Sequence, residues 1–394
     1  MSDGGAARSR DPPADTDQVE AAELYERITA GDPVRILDVR DRDAVEAWRI
    51  DGPNVTHTQL ATSRVLQAEV TGAVPELESE IEGDGPIIVV CAEGEASDYV
   101  AGVLADAGFE ASNLAEGMEG WAKVYRVNVI KTNPTVLQCH RPSSGCLSYM
   151  IVSDEEAAVI DPLRAFTDRY VTEARDRHAD IVAVFDSHLH ADHISGLREL
   201  AAAVEAPALL PTESVERGLE YAVTGIEDGD EFEIGSANLQ AIALPGHTTG
   251  MTGFTVGDML FTADSLFLDG VARPDLQVAG TDEREGLASE LYATLTDRLS
   301  RFTDETLIAP GHASEEVAAE GGDLTAPLGT LRKQLAAFDL DRQAFVERVL
   351  ADLPPPPANA ERIVAINRGT ETADAATAFE LELGPNNCAA GTWN

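Results

Sequence analysis

The sequence contains few basic residues, and lysine is especially scarce. Its 394 residues include 28 Lys and Arg against 70 Asp and Glu, so the formal net charge is −42. Lysine occurs only at Lys123, Lys131 and Lys333. A phosphate backbone or an anionic lipid surface attracts proteins through basic stripes, and none is visible here. We therefore expect no binding to nucleic acid or to a membrane surface.

Cysteine and long apolar runs are also scarce. The four cysteines are too few for a disulfide framework in a chain of this size, so we expect free thiols at Cys91, Cys139, Cys146 and Cys388. No apolar run approaches the roughly 18 residues of a membrane-spanning helix. The first residues lack the apolar segment of a secretory signal. Together these absences predict a cytoplasmic protein.

The acidic excess has a physical consequence of its own. So many carboxylates repel one another unless dissolved salt screens them. Hydrophobic residues still make up 44% of the chain, which is enough for folded cores rather than a disordered acidic chain. We interpret the charge as an adaptation to the salt-rich cytoplasm of a halophile. An ordinary acidic protein is the alternative.

Periodicity divides the chain into a tail and two domains. Residues 1–16 are rich in Gly, Asp, Pro and Arg and are predicted to be disordered. Over residues 17–126, short apolar strands alternate with helical patterns, which predicts a mostly parallel sheet with flanking helices. Over residues 133–394, polar loops directly follow apolar strands, and a C-terminal extension comes last. This second pattern predicts a layered sandwich with its site along one edge.

The densest group of potential metal ligands follows one of these strands. After the apolar strand Ile181–Phe185, residues 187–193 read SHLHADH. Imidazole nitrogens bind zinc and iron, and carboxylates bind hard cations. His188 and His190 alternate as extended residues do, so both can face one side. The run predicts a metal site, and a polar loop of structural histidines is the alternative.

Three further candidate ligands also follow predicted strands. His247 lies in the sequence LPGH, Asp264 in FTAD and His312 in APGH. The recurrence of histidine or aspartate at strand ends predicts that these side chains join the first group at one edge. For His312 taken alone, a structural role stays open.

The order of these motifs, H-x-H-x-D-H, P-G-H, T-A-D and P-G-H, resembles the metallo-β-lactamase fold over about residues 133–330. The resemblance implies an αββα sandwich with a metal site at one edge. The family usually has T-G-D where this chain has Thr262-Ala263-Asp264, and the carboxylate is kept.

Two metal chemistries fit this ligand set. In one, two zinc ions share it, Asp264 bridges them, and bound hydroxide attacks a thioester. In the other, His188, His247 and Asp264 hold one Fe(II) per chain and leave three coordination positions open for O2 and a substrate sulfur. Four residues would then orient ligands or waters, instead of binding a second metal: His190, Asp192, His193 and His312.

Two segments favour iron because they resemble the persulfide dioxygenases: GCLSY at residues 145–149 and ARPDLQ at residues 272–277. The resemblance implies that Arg273 faces the substrate and binds an anion such as a persulfide. An ion pair with Asp275 is the alternative. The chain lacks the longer helical thiol-binding domain of glyoxalase II-type hydrolases. It also has Ala313-Ser314 where many persulfide dioxygenases have Asp-Tyr.

Residues 17–126 resemble a rhodanese domain through ILDVR at 36–40, VVC at 89–91 with Gly94, and EGMEGW at 116–121. In rhodaneses the loop cysteine, here Cys91, carries sulfane sulfur as a thiolate at a helix N-terminus. Active members usually have cationic residues in this loop, whereas CAEGEAS has two glutamates and no base. Cys91 is therefore either a working persulfide carrier or a relic in a structural domain.

The leading hypothesis is an iron-dependent persulfide dioxygenase fused behind a rhodanese domain. It would convert a low-molecular-weight thiol persulfide and O2 to sulfite and free thiol, so these two small molecules are the expected partners. A dizinc glyoxalase II-type thioester hydrolase and a non-catalytic sulfur-binding or sensing protein are the alternatives. The identity of the thiol and a homo-oligomeric state stay open.

Overall fold

The computed structural model describes residues 16–319, 322–351, 353–384, 388–390 and 393. Contacts divide the chain into two compact units, one ending at Val124 and one beginning at Tyr125. The predicted disordered tail lies outside the described residues, except for Thr16. Across the described part of the chain, no helix is both long enough and apolar enough to cross a bilayer.

The first unit is built around a five-stranded parallel sheet in the order β1-β5-β4-β2-β3. Its strands are β1 (Asp17–Val19), β2 (Val34–Asp38), β3 (Val55–Gln59), β4 (Ile87–Val90) and β5 (Ala111–Leu114). Its helices are α1 (Ala21–Thr29), α2 (Arg42–Ala47), α3 (Thr62–Thr71), α4 (Glu95–Asp106) and α5 (Gly117–Ala122).

Helices cover both faces of this sheet. Successive side chains of a strand point to opposite faces, so neighbours such as Ile88 and Val89 enter different cores. Val89 packs with Val100 of α4, whereas Ile88 packs with Leu24 of α1. Strands buried on both faces read as continuous apolar runs, as β4 does. The predicted α/β domain is confirmed.

The second unit is a sandwich of two sheets. The first sheet has seven strands in the order β12-β11-β10-β9-β8-β7-β6. They are β6 (Arg126–Thr132), β7 (Thr135–Arg141), β8 (Cys146–Ser153), β9 (Glu156–Ile160), β10 (Asp180–Phe185), β11 (Ala208–Pro211) and β12 (Thr224–Ile226). Because β6 pairs with β7, residues 127–132, which the sequence leaves between the two domains, belong to the second unit.

The second sheet has six strands in the order β13-β14-β15-β16-β17-β18. They are β13 (Glu231–Ile234), β14 (Ala237–Ala243), β15 (Thr252–Val256), β16 (Met259–Ala263), β17 (Leu307–Pro310) and β18 (Ala326–Pro327). The helices of this unit are α6 (Thr167–Asp176), α7 (Leu197–Val204), α8 (Thr212–Glu216), α9 (Thr281–Ala293), α10 (Glu315–Ala319), α11 (Leu328–Gln334), α12 (Arg342–Ala351), α13 (Ala360–Asn367) and α14 (Ala375–Leu381).

Three apolar layers hold this sandwich together. Between the sheets, Tyr149 of β8 packs with Phe254 and Phe261 of the second sheet. The next residue, Met150, points to the other side and packs with Tyr170 of α6. Helices α9, α11 and α12 cover the outer face of the second sheet. The αββα arrangement implied by the sequence is therefore confirmed.

We predict that salt stabilises the folded chain. The net charge of −42 creates repulsion that salt reduces, since the screening length falls from about 10 Å at 0.1 M to about 3 Å at 1 M. A gain of about 2 kcal/mol corresponds to roughly 4–8 °C in Tm. Thermal unfolding at low and at molar KCl, followed by circular dichroism, measures this shift. Equal Tm values would contradict the interpretation as a halophilic protein.

Candidate metal centre and cysteine loop

Four loops that follow strands bring the candidate ligands to one edge of the sandwich. The run 186–196 follows β10, His247 follows β14, Asp264 follows β16 and His312 follows β17. Gly246, just before His247, has a φ of 145°. A Cβ there would lie 2.5 Å from Leu291 Cα, so the P-G-H turn requires glycine.

The three side chains assigned to iron from the sequence converge. Ligand atoms of His188, His247 and Asp264 all lie within 4.8 Å of one another. Nε2 of each histidine is 3.9 Å from Asp264 Oδ2. Each of the three residues is about 1% exposed. Within the described residues, neither His188 Nε2 nor Asp264 Oδ2 has a hydrogen-bond partner, so this donor set fits a metal ion.

The far nitrogen of each imidazole is held by a neighbour. His247 Nδ1 donates to the carbonyl of Arg273 at 2.7 Å, and His188 Nδ1 lies 2.9 Å from Ser187 Oγ. Such partners fix the ring orientation and leave Nε2 as the metal-binding atom. Burial also lowers the pKa of both histidines, and that of His188 falls well below its usual value. The rings are therefore neutral, as metal ligation requires.

His312 links two buried carboxylates. Its Nδ1 lies 2.7 Å from Asp264 Oδ1, and its Nε2 lies 3.1 Å from Asp192 Oδ2. Burial alone would lower the pKa of His312, but the charge of Asp264 raises it well above its usual value. Burial alone would raise the pKa of Asp264, but His312 brings it below its usual value. Oδ1 of Asp264 is thus committed to His312, and Oδ2 faces the other two ligands.

His190 lies apart from this three-residue group. Its Nε2 is 3.2 Å from Asp161 Oδ1 and 3.9 Å from Asp186 Oδ1. Its ring packs against that of His188, with centroids 4.2 Å apart. Sequence reasoning missed Asp161 and Asp186, although both directly follow strands, β9 and β10. That position, shared with Asp264, was the available signal.

Cys146 is a third residue near the site that the sequence did not mark as a candidate ligand. Its Sγ lies 3.6 Å from Asp192 Oδ2 and accepts a hydrogen bond from Ser144 Oγ at 3.0 Å. Burial alone would raise its pKa, but the charge of His312 and a hydrogen bond with His193 lower the pKa to about 6. The GCLSY segment had marked this residue only through a resemblance.

The C-terminal helices hold the histidine loop in place. Asn367, at the end of α13, donates to the carbonyls of His190 and His193 at 3.0 and 2.9 Å. Glu382, just after α14, accepts from the backbone N–H of Ile194 at 2.7 Å. The same carboxylate forms a buried ion pair with Arg141 at 2.6 Å. The C-terminal extension predicted from the sequence is therefore part of the site's support.

Arg273 is buried in an ion pair. Its Nε and Nη2 donate to the two carboxylate oxygens of Asp275 at 2.7 and 3.0 Å, and Nη1 donates to the Pro355 carbonyl at 2.9 Å. The structure therefore contains the Asp275 pair that was the alternative interpretation. The role of Arg273 in substrate binding stays a prediction.

Asp264 is preceded by a backbone conformation that favours glycine. Ala263 has a φ of 45°, in the left-handed region. An alanine there costs on the order of 1 kcal/mol relative to glycine. This backbone conformation accounts for the glycine that the family resemblance leads one to expect at residue 263, where the chain passes from β16 to Asp264.

In the first unit, Cys91 lies between the end of β4 and the start of α4. Its Sγ accepts hydrogen bonds from the Gly94 N–H at 3.0 Å and from Ser97 Oγ at 3.1 Å. The loop also carries Glu93 and Glu95, both exposed. The backbone cradle expected for a sulfur-carrying cysteine is present, but its surroundings are acidic.

The family comparisons agree with this division of the chain. Residues 20–124 match the rhodanese-like domain, and residues 142–312 match the metallo-beta-lactamase superfamily. The chain is a rhodanese-like domain followed by a metallo-beta-lactamase domain. Both domain resemblances drawn from the sequence are confirmed.

Among curated proteins, persulfide dioxygenase ETHE1, mitochondrial, from Bos taurus is 32% identical over 182 residues, which cover 44% of this chain and 66% of the bovine protein. A hydroxyacylglutathione hydrolase from Yersinia enterocolitica is 34% identical over 131 residues, covering 33% of this chain and 47% of that enzyme. The chain thus spans less than two thirds of each relative. The two matched stretches, 182 and 131 residues long, are each shorter than the two domains of this chain taken together.

A solved structure extends the likeness to the fold. The crystal structure of ETHE1 from Myxococcus xanthus has a TM-score of 0.52 and 26% sequence identity, and the match covers 63% of this chain and 99% of that one. The resemblance to persulfide dioxygenases drawn from the sequence is confirmed.

We predict that Gly311→Ala weakens metal binding by the metallo-beta-lactamase domain. A Cβ at residue 311 would lie 2.4 Å from Asp264 Oδ1, so the carboxylate would have to move. Loss of such support lowers metal affinity by about 10–100-fold. Gly286→Ala in α9 is the control, because its Cβ would meet nothing within 4 Å. Metal titration of the two variants measures the difference, and equal affinities would contradict the prediction.

Proposed function

We propose that the metallo-beta-lactamase domain is an iron-dependent persulfide dioxygenase. The reaction takes a low-molecular-weight thiol persulfide, O2 and water to the free thiol, sulfite and two protons. The S–S bond breaks, the terminal sulfur is oxidised, and O2 accepts the electrons. His188, His247 and Asp264 would hold the Fe(II), which would supply the redox chemistry by which O2 oxidises the persulfide sulfur.

One observation carries this proposal: ligand atoms of two histidines and one aspartate, His188, His247 and Asp264, all lie within 4.8 Å of one another. His190 lies outside this set: its Nε2 is 3.2 Å from Asp161 Oδ1, and its Nδ1 has no hydrogen-bond partner among the described residues. The bridging role of Asp264 in a dizinc site would compete with His312, which holds Oδ1 at 2.7 Å. His188, His247 and Asp264 are left as the set that suits non-haem Fe(II).

The surrounding residues prepare this set for its role. Ser187 and the Arg273 carbonyl hold the two ligand imidazoles, and His312 orients the carboxylate. The His190 ring, packed on His188, limits its rotation. The relatives named persulfide dioxygenase ETHE1 support the same reaction class.

We predict that the protein purified without oxygen contains one iron per chain and consumes O2 when given a small-molecule persulfide. His247→Ala should lower both iron content and O2 uptake by at least about tenfold, because it removes one ligand of three. His140→Ala is the control, since this buried histidine belongs to none of the ligand groups. Metal quantitation, an oxygen electrode and a sulfite assay are the measurements.

A dizinc thioester hydrolase is the second candidate, supported by the relatives named hydroxyacylglutathione hydrolase. The same experiment separates the two functions. Thioester cleavage without O2 uptake, by protein with zinc at the His188, His247 and Asp264 site, would overturn the dioxygenase proposal. Iron content and O2 uptake that survive His247→Ala would contradict the ligand assignment.

For the rhodanese-like domain, we propose that Cys91 carries sulfane sulfur. The Gly94 N–H and Ser97 Oγ contacts would stabilise an anionic sulfur at the start of α4. The two loop glutamates repel anionic donors such as thiosulfate, so the favoured donors are uncharged or strongly screened by salt. Cys91→Ser should leave O2 uptake on a supplied persulfide unchanged.

We predict that replacing Glu93 and Glu95 together by Gln raises the rate of sulfur transfer from thiosulfate at low salt. Removing two negative charges beside the cysteine should give an increase of about tenfold. The gain should shrink at molar salt, because screening already weakens the repulsion there. A thiocyanate assay with cyanide as acceptor measures the rate.

The control for this variant removes two other exposed carboxylates of the same domain, by Glu76→Gln and Glu110→Gln. This pair lies outside the cysteine loop and should leave the rate unchanged. A loop variant that is no faster than the control would refute the electrostatic explanation. A Cys91→Ser protein that still transfers sulfur would refute the assignment of Cys91.

A further inference from the structure

The turn that carries His247 packs against α9 and against the helical turn that continues α9. The α-helix ends at Ala293, and Thr294–Arg298 continue it as a single π-helical turn. π-Helices are rare, occur mostly as single turns within α-helices, and are frequent at functional sites. This one contacts the sequence LPGH at residues 244–247, so its place in the fold calls for a functional explanation.

Two contacts from this helix hold the two residues that precede His247. Thr294 is 0% exposed, and its Oγ1 donates a hydrogen bond to the Pro245 carbonyl at 2.7 Å. The Leu291 backbone lies against Gly246, where a Cβ would come within 2.5 Å of Leu291 Cα. Residues three apart are neighbours on one face of a helix. The same face therefore holds the proline and the glycine of the P-G-H turn.

The contact with Pro245 controls how the chain enters this turn. The proline ring fixes φ of Pro245, so the direction of its carbonyl is set by ψ of the same residue. Gly246 has a φ of 145° and no side chain, so its own conformation is weakly restricted. The hydrogen bond from Thr294 therefore fixes the torsion that the proline ring leaves free, and with it the direction of the chain toward His247.

The imidazole of His247 depends on the placement of its backbone as well as on the orientation of its ring. Its Nδ1 donates to the Arg273 carbonyl at 2.7 Å, which orients the ring and leaves Nε2 3.9 Å from Asp264 Oδ2. The position of the ring follows from the backbone at residue 247. Metal–ligand distances vary by only about 0.2 Å, so a small displacement of the turn is enough to weaken a metal bond.

We propose that Thr294 is a positioning residue for the metal centre. Its hydroxyl, which the π-helical turn presents to the Pro245 carbonyl, fixes the P-G-H turn and so the position of His247 Nε2. This inference rests on the proposed function only in taking His247 as a metal ligand, and it applies to iron and to zinc alike. It gives α9 and its continuation, which lie on the outer face of the second sheet, a part in metal binding.

Thr294→Val tests this role, because valine keeps the branched shape of threonine and lacks the hydroxyl donor. Cobalt(II) titration of the metal-free full-length chain, followed by the visible absorption of the bound ion, measures metal affinity without reference to activity. The binding step that His247→Ala removes identifies the first site. We expect Thr294→Val to weaken this step about tenfold. Thr294→Ser, which keeps a hydroxyl donor, should restore it.

Thr296→Val is the matched control. Thr296 lies in the same π-helical turn, and its Oγ1 donates to the Tyr292 carbonyl at 2.8 Å, within its own helix. This substitution removes a similar hydrogen bond without touching the P-G-H turn, so cobalt affinity should stay at the wild-type value. Circular dichroism checks the fold of each metal-free variant. Thr294→Ala removes the same donor as Thr294→Val and replaces it in the test if the valine variant does not fold.

The outcomes separate this inference from the proposed function. Thr294→Val and Thr294→Ala proteins that bind cobalt as tightly as the wild type would overturn the positioning role, and so would an equal loss of affinity in Thr296→Val. A wild-type chain that holds zinc and cleaves thioesters would overturn the dioxygenase proposal, while a weakened cobalt step in Thr294→Val would still support the role of Thr294.

Discussion

The division of labour between the two oxygens of Asp264 is the constraint on which the site depends. Oδ2 lies 3.9 Å from Nε2 of both His188 and His247, while Oδ1 lies 2.7 Å from His312 Nδ1. In this arrangement one carboxylate oxygen is available to a metal, and the hydrogen bond to the other oxygen fixes the orientation of the carboxylate. The left-handed backbone at Ala263 and the absence of a side chain at Gly311 both serve this placement.

Residues of the C-terminal helices also hold the loop that carries the histidines. Asn367 caps two carbonyls of the histidine loop, and Glu382 binds the backbone of Ile194 while pairing with the buried Arg141. Removing one member of a buried ion pair typically costs about 3–5 kcal/mol, since the other charge is left without a partner. The loop between β10 and α7 is therefore held by groups whose removal would strongly lower the stability of the folded chain.

The sequence was sufficient for the two domains and the αββα layers, and it picked out three side chains that the structure brings together, because each rests on a local pattern. An apolar strand followed by histidine or aspartate can be recognised from a few consecutive residues of the sequence, as at His247 and Asp264. The partners of His190 and the neighbours of Cys146 could not be read in this way. Asp161 lies 29 residues from His190, and Cys146 meets His312 only because two sheets face each other. Ala263 shows the same limit, since only the backbone reveals its left-handed φ.

The contacts of Asn367 and Glu382 have a consequence for biosynthesis. His190 and Asn367 are 177 residues apart, and Ile194 and Glu382 are 188 apart. A ribosome must therefore add most of the second unit after the histidines have emerged before their loop gains these anchors. Maturation of the centre accordingly waits until α13 and α14 have been made and have docked, and does not occur when the ligands themselves leave the exit tunnel.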